Sequence, residues 1–266
     1  MKGFAAALMF AALAVTAAAF AGPSVEAPTK TPGTLTVGFD LPAPGFWNGR
    51  ASGTTIKNPS GFEYSLAVAI GKKLGLPKIE FVRAPFGTLF SPAEKKFDFA
   101  LEETTITAQR AKVISFSVPY FDANQGVLIR KDLAAPKSIA DLKKLQLCAQ
   151  SQTTGLSYIQ HKLRPTKKPL VYNASSTAAF DAVEAGKCDA LILDVPIVVS
   201  QSNKKKGAYG GVIGQIVTKE GYGAVMEHGS KLKPFVDQAI TALRNDGTID
   251  KLQKKWLPFT RVPILK

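Results

Sequence analysis

The stretch from Phe97 to Lys131, FDFALEETTITAQRAKVISFSVPYFDANQGVLIRK, sets the terms of the fold. An apolar strand ending at Leu101 runs into Glu102, Glu103, Thr104 and Thr105, so polar side chains and free backbone groups arrive at a sheet edge. Thr107 then predicts an N-cap for a short helix over Ala108–Val113. Arg110 falls in the first turn of that helix, where a cation gains nothing from the helix dipole. A guanidinium there suits a ligand carboxylate, which it can hold with two parallel hydrogen bonds. A surface ion pair with Glu102 or Glu103 explains it equally well at this stage.

Outward from this segment, the chain has 266 residues, 45% hydrophobic and 20% charged, enough for one or two globular domains with sizeable cores. The N-terminus does not belong to them. Lys2, an apolar Ala-rich run from Phe4 to Phe20, and the small-x-small triplet Ala19-Phe20-Ala21 have the layout of a secretory signal peptide over residues 1–21. The run is short and weakly apolar for a membrane span. No cysteine follows it to accept a lipid, so a protein free in the periplasm of a two-membrane bacterium is expected. Cys148 lies within an apolar strand and Cys188 just before another. If those strands are parallel neighbours aligned at their C-terminal ends, the sulfurs are about four residues out of register, and two free buried thiols are expected.

The formal charge is +14; Lys2 is the only charge in residues 1–21, so export leaves +13. The lysines come as scattered pairs with one triple, Lys204–Lys206, and no basic run is interleaved with aromatics. A solvated basic surface is expected, without a nucleic-acid partner. His161 and His228 are separated in the pattern and read as surface residues, so no metal site and no cofactor is expected. There is no P-loop, G-x-S-x-G or G-x-G-x-x-G; Gly210-Gly211 reads as loop punctuation.

The elements follow one another as two α/β units. Thr34–Phe39 reads as a strand and Leu41–Pro59 as a long loop. A helix opens at Gly61 with Phe62, Leu66, Ala69, Ile70 and Leu74 on one face and stops at Gly75. Strands at Ile79–Arg83 and Asp98–Leu101 flank a short helix expected from Ser91-Pro92. The second unit has strands at Gly126–Arg130, Leu145–Gln150, Leu170–Tyr172 and Ala190–Leu193, with helices from Thr154 and over Thr177–Ala185. A strand at Gly223–Met226 and helices at Lys233–Asn245 and Thr248–Trp256 complete the chain. This order implies two parallel sheets covered by helices, and a ligand crevice at the strand C-termini.

The chemistry collects at those strand ends. Asp40 and the aromatics Phe46 and Trp47 follow the first strand, Phe86 the second, and Glu102 to Thr105 the third. Thr153 and Thr154 stand between a strand and a helix start, and Asp194 ends the last apolar strand. An anion grip, a cation grip and aromatic walls are the complement of a zwitterion with a side chain.

At these residues the chain resembles the substrate-binding proteins of polar amino-acid ABC transporters, the family 3 solute-binding proteins. The matching segments are GFEYSLAVAIGKKLGL, KKFDFALEETTITAQRAKVISFSVPYF, SIADLKKLQLCAQSQTTGLSYI, AGKCDALILDVPIV and RNDGTIDKLQKKWL, which span nearly the whole exported chain. The resemblance implies a two-lobed α/β periplasmic-binding-protein fold, with lobe 1 at about 33–120 and 221–266, lobe 2 at about 124–218, and two crossing strands as hinge. It implies a monomer without catalysis that closes on an amino acid and delivers it to the membrane permease of an importer. Arg110 would clamp the ligand carboxylate with Thr105 and the Thr154 amide, Asp194 would meet the amino group, and Phe86 would flank the side chain. The opposing aromatic is Phe46 or Trp47. Glu102 and Glu103 depart from the small or amide residues of the family. They disfavour an acidic ligand side chain and favour a cationic one, or else pair with Arg110 in the empty state. The alternative implied by resemblance is a cyclohexadienyl (arogenate) dehydratase-like enzyme on the same fold, with Glu102 or Glu103 as general acid.

Overall fold

The computed structural model describes residues 26–173, 175–257 and 261–266. The expected signal peptide, residues 1–21, lies outside the described residues.

The first unit comprises β1 (Thr34–Phe39), the hairpin β2 (Asn48–Ser52) and β3 (Thr55–Ser60), α1 (Phe62–Lys73), β4 (Lys78–Arg83), β5 (Phe99–Ala100) and β6 (Ile114–Phe116). A long strand, β7 (Phe121–Arg130), leads into the second unit. That unit holds α2 (Ile139–Leu142), β8 (Leu147–Gln150), α3 (Thr154–Tyr158), β9 (Leu170–Tyr172), α4 (Ser176–Glu184), β10 (Ala190–Asp194) and α5 (Val195–Lys204). β11 (Tyr209–Tyr222) returns the chain to the first unit, which β12 (Val225–Glu227), α6 (Lys233–Asn245) and α7 (Thr248–Trp256) complete.

Two five-stranded sheets result, ordered β4-β1-β5-β12-β6 and β11-β7-β10-β8-β9. In each, four strands run one way and one is inverted, β12 in the first and β7 in the second. The two-lobed, mostly parallel α/β architecture is therefore as expected. Alternation along the strands sends side chains to two covered faces. In the second sheet Leu147, Ala149, Ala190 and Ile192 pack with Leu142, Ile159 and Leu163, while Cys148, Leu191 and Leu193 pack with Phe180, Val183 and Val198.

β7 and β11 form the connection between the lobes. The start of β7, Phe121 and Ala123, packs in the first lobe's core with Tyr222, and Val127 and Ile129 pack in the second. The chain also makes a third passage. Residues 261–266 lie along the second sheet, with a parallel bridge from Ile264 to Gln215, the Leu265 N–H donating to the Gln215 carbonyl, and Leu265 in that lobe's core. The end of the chain thus departs from the expected assignment of 221–266 to lobe 1.

Local expectations fail where tertiary pairing overrides pattern. The β2–β3 hairpin, residues 48–60, occupies most of the expected loop Leu41–Pro59, and its mostly exposed polar residues give no alternation to read. Gly210 and Gly211 are strand residues: a Cβ on Gly210 would lie 2.6 Å from the Arg130 carbonyl oxygen, so only glycine lets β11 approach β7 so closely. No helix forms from Ser91-Pro92; a single 3-10 turn forms earlier, at Phe86–Thr88. The helix expected at Ala108–Val113 is a 3-10 turn over Arg110–Lys112, with the Arg110 N–H donating to Thr107 Oγ1 at 3.1 Å.

The cysteines are a correction. Cys148 and Cys188 form a disulfide, with Cα atoms 5.9 Å apart. The expected strand offset does not apply, because Cys188 does not extend β10 backwards. Its N–H donates to the Ala182 carbonyl at the end of α4, so the chain descends onto the sheet face to which Cys148 points.

Candidate ligand-binding site

The C-terminal ends of β1, β4, β5, β8 and β10 converge on one cleft between the lobes. It is lined by Asp40, Phe86, Glu102, Glu103, Thr105, Arg110, Thr153, Thr154 and Asp194, with Leu41, Pro42, Ala43, Gln150, Ser175, Ser176 and Ile197. Nine of the eleven candidate residues are brought together here. Phe46 and Trp47 are not. Both are 1% exposed: Phe46 packs edge-on against Phe62 and Phe121, and Trp47 packs on Phe39 and Phe81. The Trp47 indole N–H donates to the Leu101 carbonyl at 2.8 Å, so this ring supports the glutamate-bearing turn from behind. A Pro-rich loop with two aromatics resembles a ligand wall in sequence, but their apolar area is better satisfied in the core.

Arg110 spans the lobes. One guanidinium nitrogen donates to the Thr105 carbonyl and the other to the Gln152 carbonyl of the second lobe, each at 2.7 Å. Its plane stands over Phe86 and Phe90, at 5.6 and 4.6 Å from the ring centroids. Among the described residues two of its five N–H groups are thus engaged, which leaves the others to meet an anion. Burial pulls its pKa down to about 10, opposed by Asp194 and Glu220, so it is a cation at neutral pH.

Three residues outside the sequence expectation tie the cleft together. Glu220 Oε2 accepts from Thr105 Oγ1 at 2.9 Å and from Thr154 Oγ1 at 2.6 Å, one from each lobe. Tyr222 donates to Asp194 Oδ2 at 2.7 Å, and Gln125 donates to Asp194 Oδ1 at 2.6 Å. Burial pushes the Asp194 carboxyl up to about 7, with Glu220 adding to the rise and Tyr222, Gln125 and Arg110 opposing it. In the sequence, Glu220 stands between Lys219 and Gly221, where no local pattern marks it. Gln125 and Tyr222 each stand one residue before a strand expected from the sequence, at Gly126–Arg130 and Gly223–Met226.

The acidic side of the cleft is more unusual. Both carboxylate oxygens of Glu102 are buried without a hydrogen-bond partner. Glu103 is part-buried and adopts a left-handed backbone, φ 46°, a conformation that disfavours a side chain. Its N–H donates to Glu63 Oε1 at 2.8 Å, and that oxygen also accepts the Tyr120 hydroxyl. Glu63, in the first turn of α1, is fully buried and reads in sequence only as an acid favoured by the helix dipole. Burial, and then the neighbouring Asp40, Glu63 and Glu103, push Glu102 well above the usual carboxyl range. Burial and then Glu63, Asp194 and Asp40 do the same to Glu103. Asp40 accepts from Arg83 Nε at 3.2 Å and from the Phe86 N–H at 3.3 Å.

No group of three or more His, Cys, Asp or Glu residues suited to a metal ion occurs among the described residues. No described helix is long and apolar enough to cross a membrane.

Residues 35–259 match the family of bacterial extracellular solute-binding proteins, family 3. The amino-acid-binding protein AabA of Dichelobacter nodosus is 32% identical over 76% of this chain and 80% of its own length. The ABC transporter arginine-binding protein 1 of Escherichia coli is 28% identical over 74% of this chain and 82% of its own. Among solved structures, an ancestral arginine-binding protein bound to arginine superposes with a TM-score of 0.73 at 30% identity, covering 84% of this chain and 98% of that one. AncCDT-1, an ancestral amino acid-binding protein and precursor of cyclohexadienyl dehydratase, superposes with a TM-score of 0.70 at 32% identity over 85% and 95%. The chain belongs to the bacterial extracellular solute-binding proteins, family 3.

Proposed function

We propose that this protein binds an α-amino acid with a cationic side chain by closing its two lobes, and delivers it to the permease of an ABC importer. The observation that carries the reading is the charge balance of the cleft. Four carboxylates, Asp40, Glu102, Glu103 and Asp194, face a single guanidinium, Arg110. A zwitterion places its carboxylate on Arg110 and its ammonium on Asp194, and Arg83 already pairs with Asp40. Glu102 and Glu103 are left to face the ligand side chain, where a cation offsets the cost of ionising them in a desolvated site. Phe86 and the Leu41–Ala43 segment supply the apolar walls. The names of the arginine-binding relatives point the same way.

The exported form would be a periplasmic monomer released by cleavage after about Ala21, with no catalysis of its own. A thermal-shift screen of amino acids on that form tests the assignment. A ligand at a hundredfold its Kd stabilises by about 2.7 kcal/mol. Arginine, lysine or ornithine should raise the melting temperature and glutamate should not. A response to glutamate, or to neutral amino acids alone, overturns the cationic assignment.

The likeness to the dehydratase precursor and the raised pKa of the buried Glu102 and Glu103 favour a second reading, acid-catalysed elimination. Incubation with arogenate or prephenate, with assay for phenylalanine or phenylpyruvate, separates the two. No product is expected.

A further inference from the structure

Glu63, Glu102 and Glu103 form a carboxyl nest that lacks any cation of its own. Among the described residues, no lysine, arginine or histidine is in ion-pair contact with any of the three. The groups packed closest on the nest are acidic, phenolic or neutral: Asp40 after β1, Trp47 before β2, Tyr120 before β7, Asp194 at the end of β10 and Tyr222 at the end of β11; Arg110 lines the same cleft but makes no ion pair with the three glutamates. Both Glu102 oxygens and Glu63 Oε2 are buried without partners. Three like charges at this depth, with unsatisfied oxygens, are strongly disfavoured, and protonation relieves both the repulsion and the desolvation.

We propose that the empty site holds at least one proton on the Glu63, Glu102 and Glu103 nest, and that the cationic end of the ligand displaces it into solvent, so that binding is coupled to proton release. This rests on the cationic assignment above and adds its regulation. The exchange balances: a neutral carboxyl and a bound cation become a carboxylate–cation pair and a free proton. The opening of the nest to the cleft through Glu102 and Glu103 provides the contact. Glu63 lies behind them and acts through Glu103, whose strained backbone it holds. Burial carries Glu63 up to about 7, against the Tyr120 and Glu103 hydrogen bonds, and raises Glu102 and Glu103 as well, so the nest as a whole favours the protonated form. Affinity therefore rises with pH, by about tenfold per pH unit for each proton released.

Titration calorimetry of the full exported protein with L-arginine tests this, run near pH 6.5 in buffers of different ionisation enthalpy. The slope of observed enthalpy against buffer enthalpy counts the protons released. About half a proton to one proton is expected, falling toward zero at alkaline pH. Arginine binding with zero slope overturns the proton coupling and leaves the assigned function standing. No binding by arginine, lysine or ornithine overturns both.

The Asp194 carboxyl, which meets the ammonium group, is the competing source. Glu102→Gln/Glu103→Gln should lose most of the release, and an unchanged count assigns the proton to Asp194 and overturns the nest. Should that double variant fail to fold, infrared difference spectra of the unmutated protein give an independent readout. A protonated-carboxyl band should vanish on arginine addition, and Glu63→Gln should shift or remove it. A band that survives ligand addition overturns the proposal.

Discussion

Arg110 and Asp194 carry opposite ends of the proposed ligand, and their surroundings set different expectations for their loss. Arg110→Ala deletes a buried cation that faces the ligand carboxylate, and a truncated partner of this kind costs about 2–5 kcal/mol. Calorimetry should therefore show affinity for arginine lowered by roughly thirtyfold or more. Both of its present hydrogen bonds go to backbone carbonyls at the edge of the cleft, so the empty protein should still unfold cooperatively. Glu102→Gln keeps the shape and removes the charge. It should narrow the preference for arginine over glutamine, and competition binding would read the ratio directly.

The strands β7 and β11 and the turns they touch decide how the lobes meet. Glu220 on β11 is the shared acceptor for Thr105 and Thr154, so Glu220→Ala leaves two hydroxyls without their partner across the cleft. Each lost hydrogen bond to a charged group is worth about 1.5–3 kcal/mol. The closed form should weaken, seen as faster ligand dissociation in stopped-flow fluorescence. Within the second lobe, the disulfide closes a loop of sequence separation 40 across the α4 face. Chain-entropy reasoning gives about 4 kcal/mol for a loop of that length. Cys148→Ser/Cys188→Ser should lower the melting temperature by several degrees while leaving the cleft, on the strand ends, able to bind. α3 is similarly fixed: a Cβ at Gly155 would lie 2.5 Å from the Ile192 carbonyl oxygen, so only glycine lets the helix seat against β10.

Taken whole, the molecule opposes a basic exterior to an acidic interior. The chain carries +14, and the proposed site turns four carboxylates toward one guanidinium. The pH dependence follows from the buried acids. Glu63 and Asp194 titrate at about 7 in the folded chain, against ordinary values of 4.5 and 3.8. A raised carboxyl pKa means the folded state binds more protons, so the associated stability is full below the ordinary value and is lost as pH rises through about 7. The empty protein should melt at lower temperature at pH 8 than at pH 5. Saturating arginine should flatten that profile, because the ligand cation takes over the role of the protons. Scanning calorimetry with and without ligand across this range checks both slopes.

The two α/β units, their order and the convergence of strand ends were legible because each rests on local signals. Examples are the helical face from Phe62 to Leu74 with its Gly75 stop, and the apolar runs that end in Glu102-Glu103 or Asp194. Polar residues at the ends of buried strands are a topological statement, which a sequence can make without coordinates. What could not be read depended on neighbours distant in the chain. Phe46 and Trp47 chose the core because Phe62, Phe121 and Phe81 offered a dry surface there. Cys188 reached Cys148 because α4 delivers it from above the sheet. Glu63, Gln125, Glu220 and Tyr222 entered the site through side-chain bonds that span 28 to 115 residues of sequence. The sequence by itself determined which chemical groups arrive at the cleft, since strand and helix ends follow from local periodicity. The tertiary structure alone decided which of those groups are paired and which are left bare. Pairing depends on distances between segments that no local pattern encodes, and burial sets the cost of leaving a charge unpaired.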